Sequence, residues 1–267
     1  VLFDFESSGT TGQIPSKHAV CDADFYKKNS LNAFNHLFGA TKEYHIFALL
    51  PSYLERNTSS LVFMMDHFIQ ESQSEFSGFF LNQYAELVDQ IKKALQTNRK
   101  IWLMGVTFGL LDWIDSGQDF TFLKEGIDDG RILVMETGGM KGRREEWIRD
   151  RIHTYIVEHM GLKIVASEYG MTELFSQAYA NSQGIFTPAY TMRVCLREVS
   201  DPFTLVTQPH KTGGIKIADL ANIDSCSFIE TRDLGSMEED GIRFKVLGRF
   251  DNSEMRGCSL MLSGMGD

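Results

Sequence analysis

The sequence predicts a layered α/β fold that gives way to a β-rich subdomain toward its C-terminal end. Three observations carry that prediction. Between residues 43 and 166, apolar strand-like runs alternate with amphipathic helical runs, the pattern of a sheet covered by helices. Beyond Thr187 the pattern changes to short strands separated by turns. At the other end, a loop rich in glycine and hydroxyl side chains stands directly behind a short apolar strand.

Taken in order, residues 43–50 read as a buried strand, 59–71 as a helix and 79–81 as a short strand. Residues 84–97 form a helix, because Leu87, Ile91, Ala94 and Leu95 recur at helical spacing. Strand 100–104 and helix 107–114 follow, then strand 131–135. A long helix over 144–159 places Trp147, Ile148, Ile152, Tyr155 and Ile156 on its apolar side, and strand 163–166 closes the series. The later strands are 191–197, 204–206, 214–218, 227–231 and 242–247. This divides the chain into an α/β part over 1–186, a β-rich subdomain over 187–262 and a tail over 263–267.

Residues 6–17 are the most informative stretch. Gly9 and Gly12 lack a Cβ, so backbone N–H groups can turn toward an anion. Ser7, Ser8, Thr10 and Thr11 add hydroxyl donors and Lys17 adds positive charge, so the loop is a candidate phosphate grip. It does not fit G-x-x-x-x-G-K-[ST], which disfavours a Walker-type NTPase. A Ser/Thr/Gly loop alone is also a common solvated turn, so its context decides.

That context is a set of further segments. Ser167-Glu168-Tyr169-Gly170-Met171-Thr172-Glu173 follows an apolar run; Thr231-Arg232-Asp233-Leu234-Gly235 and Gly248-Arg249-Phe250-Asp251 come later; and Glu136-Thr137-Gly138-Gly139 ends a strand-like run between the glycine-rich loop and Ser167. In this order and at these separations, the segments and the Ser7–Gly12 loop resemble the signatures of the adenylate-forming (ANL) superfamily. That superfamily includes acyl-CoA synthetases, luciferases and the adenylation domains of peptide synthetases. The resemblance implies the N-terminal adenylation-domain fold with ATP and Mg²⁺ as cofactors. It places Ser7, Ser8, Gly9, Thr10, Thr11, Gly12 and Lys17 at the phosphates, and Tyr169, Gly170 and Thr172 along the nucleotide. Gly138 and Gly139 would lie against adenine, and Asp233 and Arg249 on the ribose. Glu173 would be catalytic, holding the metal; a hard cation takes oxygen ligands, and a carboxylate beside the phosphates supplies one. Two departures stand out: Lys17 lies farther from the last glycine than the superfamily pattern has it, and Arg232 replaces a usual glycine.

Only 16 residues follow Asp251, too few for the small C-terminal lid domain of the superfamily, so the reading is of a chain with that lid absent. Val1 is not a start methionine, and either a fragment or a minimal branch is expected. The tail Met255-Arg256-Gly257-Cys258-Ser259-Leu260-Met261 resembles that of the LuxE-type acyl-protein synthetases and their acyltransferase relatives. This implies activation of a fatty acid as its acyl-adenylate and a thioester held on Cys258, the candidate by position. The acceptor thiol is left open among this cysteine, a partner protein, a carrier protein and coenzyme A. Two alternatives stand beside it: a coenzyme A ligase of the phenylacetate type, and a non-catalytic nucleotide- or acyl-binding module.

The remaining residues exclude other classes. The four cysteines form no C-x-x-C pair, and the one H-x₅-H spacing, His153 to His159, has no cysteine pair beside it, so a structural zinc site has little support. No G-x-S-x-G occurs, which removes the usual α/β-hydrolase elbow. Cys21, Cys195 and Cys226 read as structural thiols, and His153 and His159 as surface or satisfied helix residues. A net charge of −10 argues against nucleic-acid binding. With no long apolar run and no signal peptide, the chain reads as a cytoplasmic protein without a membrane span, and oligomerisation is left open. Residues 102–110 hold small and apolar side chains that serve either an acyl pocket or plain core.

Overall fold

The computed structural model describes residues 1–7, 15–50, 57–139, 147–181 and 183–250. Ser8, Gly9, Thr10, Thr11, Gly12, Asp251 and Cys258 lie outside the described residues.

A hairpin opens the chain: β1 (Phe3–Glu6) pairs antiparallel with β2 (Lys17–Val20), with Phe3 opposite Val20 and Glu6 opposite Lys17. Next comes α1 (Ala23–Phe38), which the sequence reading did not place because its buried stripe of Tyr26, Ser30, Ala33 and Phe34 is thin and partly polar. Its ends are nonetheless well marked. The Asp22 carboxylate accepts from the Phe25 N–H at 2.8 Å, a standard N-cap, and Gly39 with φ of 90° closes the helix.

The α/β part continues through β3 (Tyr44–Leu49), α2 (Ser60–Ser72), β4 (Gly78–Phe79), α3 (Tyr84–Leu95), β5 (Lys100–Val106), α4 (Thr107–Asp115), α5 (Lys124–Asp128), β6 (Ile132–Thr137), α6 (Arg149–Met160) and β7 (Ala166–Tyr169). The remainder is β8 (Ala178–Ala180), β9 (Ile185–Pro188), β10 (Met192–Arg197), β11 (Leu205–Val206), β12 (Thr212–Asp219), a 3-10 turn at Leu220–Asn222, β13 (Phe228–Met237) and β14 (Phe244–Arg249).

Strands β3 to β14 form one twelve-stranded sheet in the order β11-β10-β12-β13-β14-β9-β8-β7-β6-β5-β3-β4. From β4 to β7 the pairings are parallel; from β7 to β11 they are antiparallel. Burial follows this division. All six residues of β3 are buried, as expected of a strand covered by helices on both faces, whereas β10 alternates buried and exposed residues. One face of the parallel part packs against α1 and α2, where Phe34 stacks on Trp102 at 4.0 Å. The other packs Leu87 and Ile91 of α3 and Ile152 and Ile156 of α6 around Leu103 and Trp113. Each such fully buried side chain contributes about 1.5–3 kcal/mol.

Three elements differ from expectation. Helix α6 begins at Arg149 rather than at 144, with Ile148 exposed just before it. Strand β7 lies three residues later than 163–166, so Ser167, Glu168 and Tyr169 belong to the strand itself. Strand β13 runs on through Asp233 to Met237 instead of ending at 231, because it is paired on both edges, with β12 and β14. The cysteines depart too: Cys195 and Cys226 are exposed, because β10 turns Cys195 to its open face. Among the described residues no helix is long and apolar enough to cross a membrane.

Candidate functional site

The base of the glycine-rich loop is well defined. The Ser7 N–H donates to the Ser16 carbonyl and the Ser16 N–H to the Ser7 Oγ, both at 2.9 Å. Ser16, between this closure and β2, also donates its hydroxyl to Glu173 Oε1 at 2.6 Å. The loop base and the carboxylate expected to hold a metal are thus in direct contact, although 157 residues apart in the chain. The Lys17 ammonium lies 3.1 Å from Glu6 across the hairpin.

Glu173 stands on the segment that leaves β7, and that segment is pinned from the 3-10 turn. Asp219 is fully buried and accepts from the Phe175 N–H at 2.8 Å, the Ser176 N–H at 3.1 Å and the Ser176 hydroxyl at 2.6 Å. Asn222 donates to the Glu173 carbonyl at 2.7 Å. Four residues before Glu173, Tyr169 at the end of β7 donates its hydroxyl to Asp233 Oδ2 at 2.8 Å. Burial raises the Tyr169 phenol, and the Asp233 charge and hydrogen bond raise it further, so Tyr169 stays a neutral donor.

Asp233 is itself 8% exposed. It faces Arg249 directly in the β13–β14 register, with the Arg249 Nε 3.3 Å from Asp233 Oδ1. Its own N–H donates to the Thr231 hydroxyl at 3.0 Å. The two motif residues expected on a ribose are therefore cross-strand neighbours, one largely buried and one with its side chain 73% exposed. Gly138 and Gly139 follow β6 with φ of 78° and 63°, a left-handed backbone that favours glycine. Gly170 extends β7, where an added Cβ would collide with the Glu168 carboxylate. Thr172 is half-buried beside Glu173.

Two buried carboxylates at the ends of β6 and β7 escaped the sequence reading as site elements. Glu136 accepts from the Thr107 hydroxyl at 2.8 Å and the Ser167 hydroxyl at 2.6 Å, with His153 Nε2 and Arg149 Nε each at 3.4 Å. Burial pushes its carboxyl up. The His153 hydrogen bond, the Arg149 charge and the two hydroxyls outweigh that and bring it down to about 2. Arg149 also donates to the Val246 carbonyl of β14 at 3.2 Å and covers the Phe186 ring of β9, so it ties the parallel and antiparallel parts together. Glu168 lies on the opposite face of β7 and accepts from the Thr137 hydroxyl. The one signal for Glu136 was a charged residue ending an otherwise apolar strand; Ser16, Arg149 and Asn222 gave none, since their partners are distant in sequence.

Ser167, His153 and Glu136 do not form a hydrolytic relay. Ser167 and Glu136 both approach Nε2 of His153, whereas a relay places the acid on the other ring nitrogen. Among the described residues no three His, Cys, Asp or Glu side chains converge as a metal cage. Glu173 with Ser16 supplies hard oxygen donors of the kind Mg²⁺ takes when phosphates and water complete its shell. A cavity of about 180 Å³ lined by Cys21, Phe25, Phe175 and Asn222 lies beyond Asn222; Tyr169, Glu173 and Asp233 do not line it.

No protein-family model matches the sequence, and no curated protein matches it. Solved structures do. The chain is similar to ATP-bound MatB from Rhodopseudomonas palustris, with a TM-score of 0.63 and 17% identity over 92% of this chain and 47% of that one. It is also similar to the long-chain-fatty-acid-CoA ligase FadD1 from Archaeoglobus fulgidus, with a TM-score of 0.60 and 13% identity over 99% of this chain and 54% of that one. A keto acid-selecting peptide-synthetase adenylation domain bound to a keto acyl adenylate gives 0.59 and 13%, over 98% and 56%. The chain spans about half the length of the structures it matches. With its mixed twelve-stranded sheet, it has the adenylation-domain fold of the adenylate-forming superfamily.

Proposed function

We propose that the protein activates a carboxylic acid with ATP as an acyl-adenylate and passes the acyl group to a thiol. One observation carries this reading: the loop base at Ser7 and Ser16 meets Glu173, and the stretch from Glu173 back to Tyr169 reaches Asp233 and Arg249, at one end of one sheet. That end is where ligands sit on open α/β sheets. Residues 1–186 would supply the phosphate loop and Glu173, and the β-rich remainder the ribose contacts.

In this mechanism a carboxylate oxygen attacks the α-phosphorus and pyrophosphate leaves. Ser7 through Gly12 would bind the phosphates through backbone N–H and hydroxyl groups, and Asp233 and Arg249 would orient the ribose. Mg²⁺, when bound at Glu173, would offset the phosphate charge. A thiolate then attacks the acyl carbonyl, forming a thioester with release of AMP. Catalysis of this kind is positioning and charge stabilisation. The sequence resemblance favours a fatty acid and Cys258 as thiol, in a reducing cytoplasm. The similarity to FadD1, a CoA ligase, supports coenzyme A as a second acceptor.

Carboxylate-dependent ATP–pyrophosphate exchange over a panel of acids tests the first step. Activity in the wild type and its loss in Glu173→Gln are expected; ATP binding without exchange for any acid would favour a binding module. Hydroxylamine-sensitive labelling by radioactive acyl substrate, lost in Cys258→Ser, tests the second.

A further inference from the structure

The peptide that carries Glu173 is held by a buried relay that none of the motifs contains. Asn222 is 1% exposed. Its amide nitrogen donates to the Glu173 carbonyl at 2.7 Å, and its amide oxygen lies 2.9 Å from Nε2 of His18. A carbonyl only accepts, so the Asn222 nitrogen must face Glu173; the Asn222 oxygen only accepts, so His18 must carry its proton on Nε2. The direction of every hydrogen bond is therefore fixed, from His18 through Asn222 to Glu173. His18 stands on β2, two residues after Ser16, and Ser16 holds the Glu173 carboxylate itself. The relay closes a ring: phosphate-loop exit, Asn222, Glu173 main chain, Glu173 side chain, Ser16. Asp219 accepts a further Asn222 N–H at 3.3 Å and anchors the following Phe175 and Ser176 N–H groups.

We propose that Asn222 is the positioning residue of the metal-holding carboxylate: it fixes the Glu173 backbone against β2, so that the carboxylate and Ser16 at the loop base keep one relative geometry. This rests on the assignment of Glu173 as the Mg²⁺ ligand. Outer-shell partners of this kind tune metal affinity because a ligand that must first be ordered binds less tightly.

The test is ATP binding by calorimetry to the full chain, in Mg²⁺ and in EDTA, for wild type, Asn222→Ala, Glu173→Gln and the double variant. Asn222→Ala is expected to reduce the Mg²⁺-dependent gain in ATP affinity by roughly tenfold and to leave binding in EDTA within about twofold. In the Glu173→Gln background it should cause no further loss, since the carboxylate it positions is gone. Equal weakening in Mg²⁺ and EDTA, or losses that multiply in the double variant, would overturn the proposal. Glu173→Gln with undiminished Mg²⁺ dependence would instead overturn the metal assignment beneath it. Asn222→Leu keeps a similar side-chain size and removes the donor to Glu173 without adding a charge beside Asp219, so it should give the same pattern even where the alanine variant folds poorly. Nitrogen chemical shifts of His18 give a readout independent of nucleotide: the Nε2–H tautomer is expected, and Nδ1–H would break the relay.

Discussion

Glu136→Gln is the sharpest probe of how the buried polar layer supports the site. The substitution keeps size and shape but places an amide where Thr107, Ser167, His153 and Arg149 all point toward a carboxylate. Removing one member of a buried ionic cluster costs about 3–5 kcal/mol, and the amide oxygen can still accept one or two hydroxyl bonds, so a loss of about 3 kcal/mol is expected. The pH dependence carries its own sign. The folded carboxyl lies at about 2 against an ordinary 4.5, so the unfolded chain takes up a proton that the native state refuses. The stabilisation is complete above the ordinary value and fades as pH falls toward 2. The gap between wild type and variant should therefore narrow by roughly 1 kcal/mol at pH 4 and roughly 2 kcal/mol at pH 3. Urea unfolding of both proteins at pH 7, 5 and 4 measures it. Parallel curves at all three values, or a gap below about 0.5 kcal/mol at pH 7, would refute the reasoning, because neither is compatible with a charged, fully engaged Glu136.

Other outcomes follow from single residues. His45 is buried between Ser74 at 2.6 Å and Thr97 at 2.7 Å; burial and then the Arg99 charge bring it down to about 4. Wild type should thus lose about 1–2 kcal/mol, allowing for solvent screening, as pH falls from 6.5 toward 4, and His45→Gln should flatten that limb of the stability profile. Gly170→Ala should lower stability by about 1–3 kcal/mol in chemical denaturation, because the new methyl meets the Glu168 carboxylate, which the Thr137 hydroxyl holds in place. Asp233→Ala should weaken ATP binding by about 2 kcal/mol, the scale of a lost charge-assisted hydrogen-bond pair, and leave 2′,3′-dideoxy-ATP unaffected; equal loss for both nucleotides would exclude a ribose contact.

Much of the parallel half was legible because periodicity there is strong. Residues 84–97 and 107–114 became α3 and α4 with shifts of only one or two residues at their ends, and the motif order anticipated Tyr169, Asp233 and Arg249 meeting at one place. Helix α1 was missed because Ser30 and neighbouring lysines interrupt its buried stripe, and β8 and β9 because they are three and four residues long. The contacts that tie the loop base and the 3-10 turn to Glu173 could not be read at all. Ser16 to Glu173 and His18 to Asn222 join residues more than 150 positions apart, and a polar side chain in a single sequence bears no mark of a partner that only folding supplies.

The irregularity in β13 has a bearing on how this site can vary. Side chains alternate across a strand, so losing or gaining one residue between Thr231 and Gly235 would turn the Asp233 carboxylate to the opposite face and part it from both Tyr169 and Arg249. The β13–β14 ladder shifts between Leu234 and Gly235, at a position where a methyl group on Gly235 would come within 2.5 Å of the Lys245 carbonyl. That glycine stands at the shift in the ladder, two residues beyond the aspartate. Substitutions in the surrounding loops can drift, but the count of residues from Thr231 to Gly235 is a spacing that the proposed ribose contacts would not survive losing.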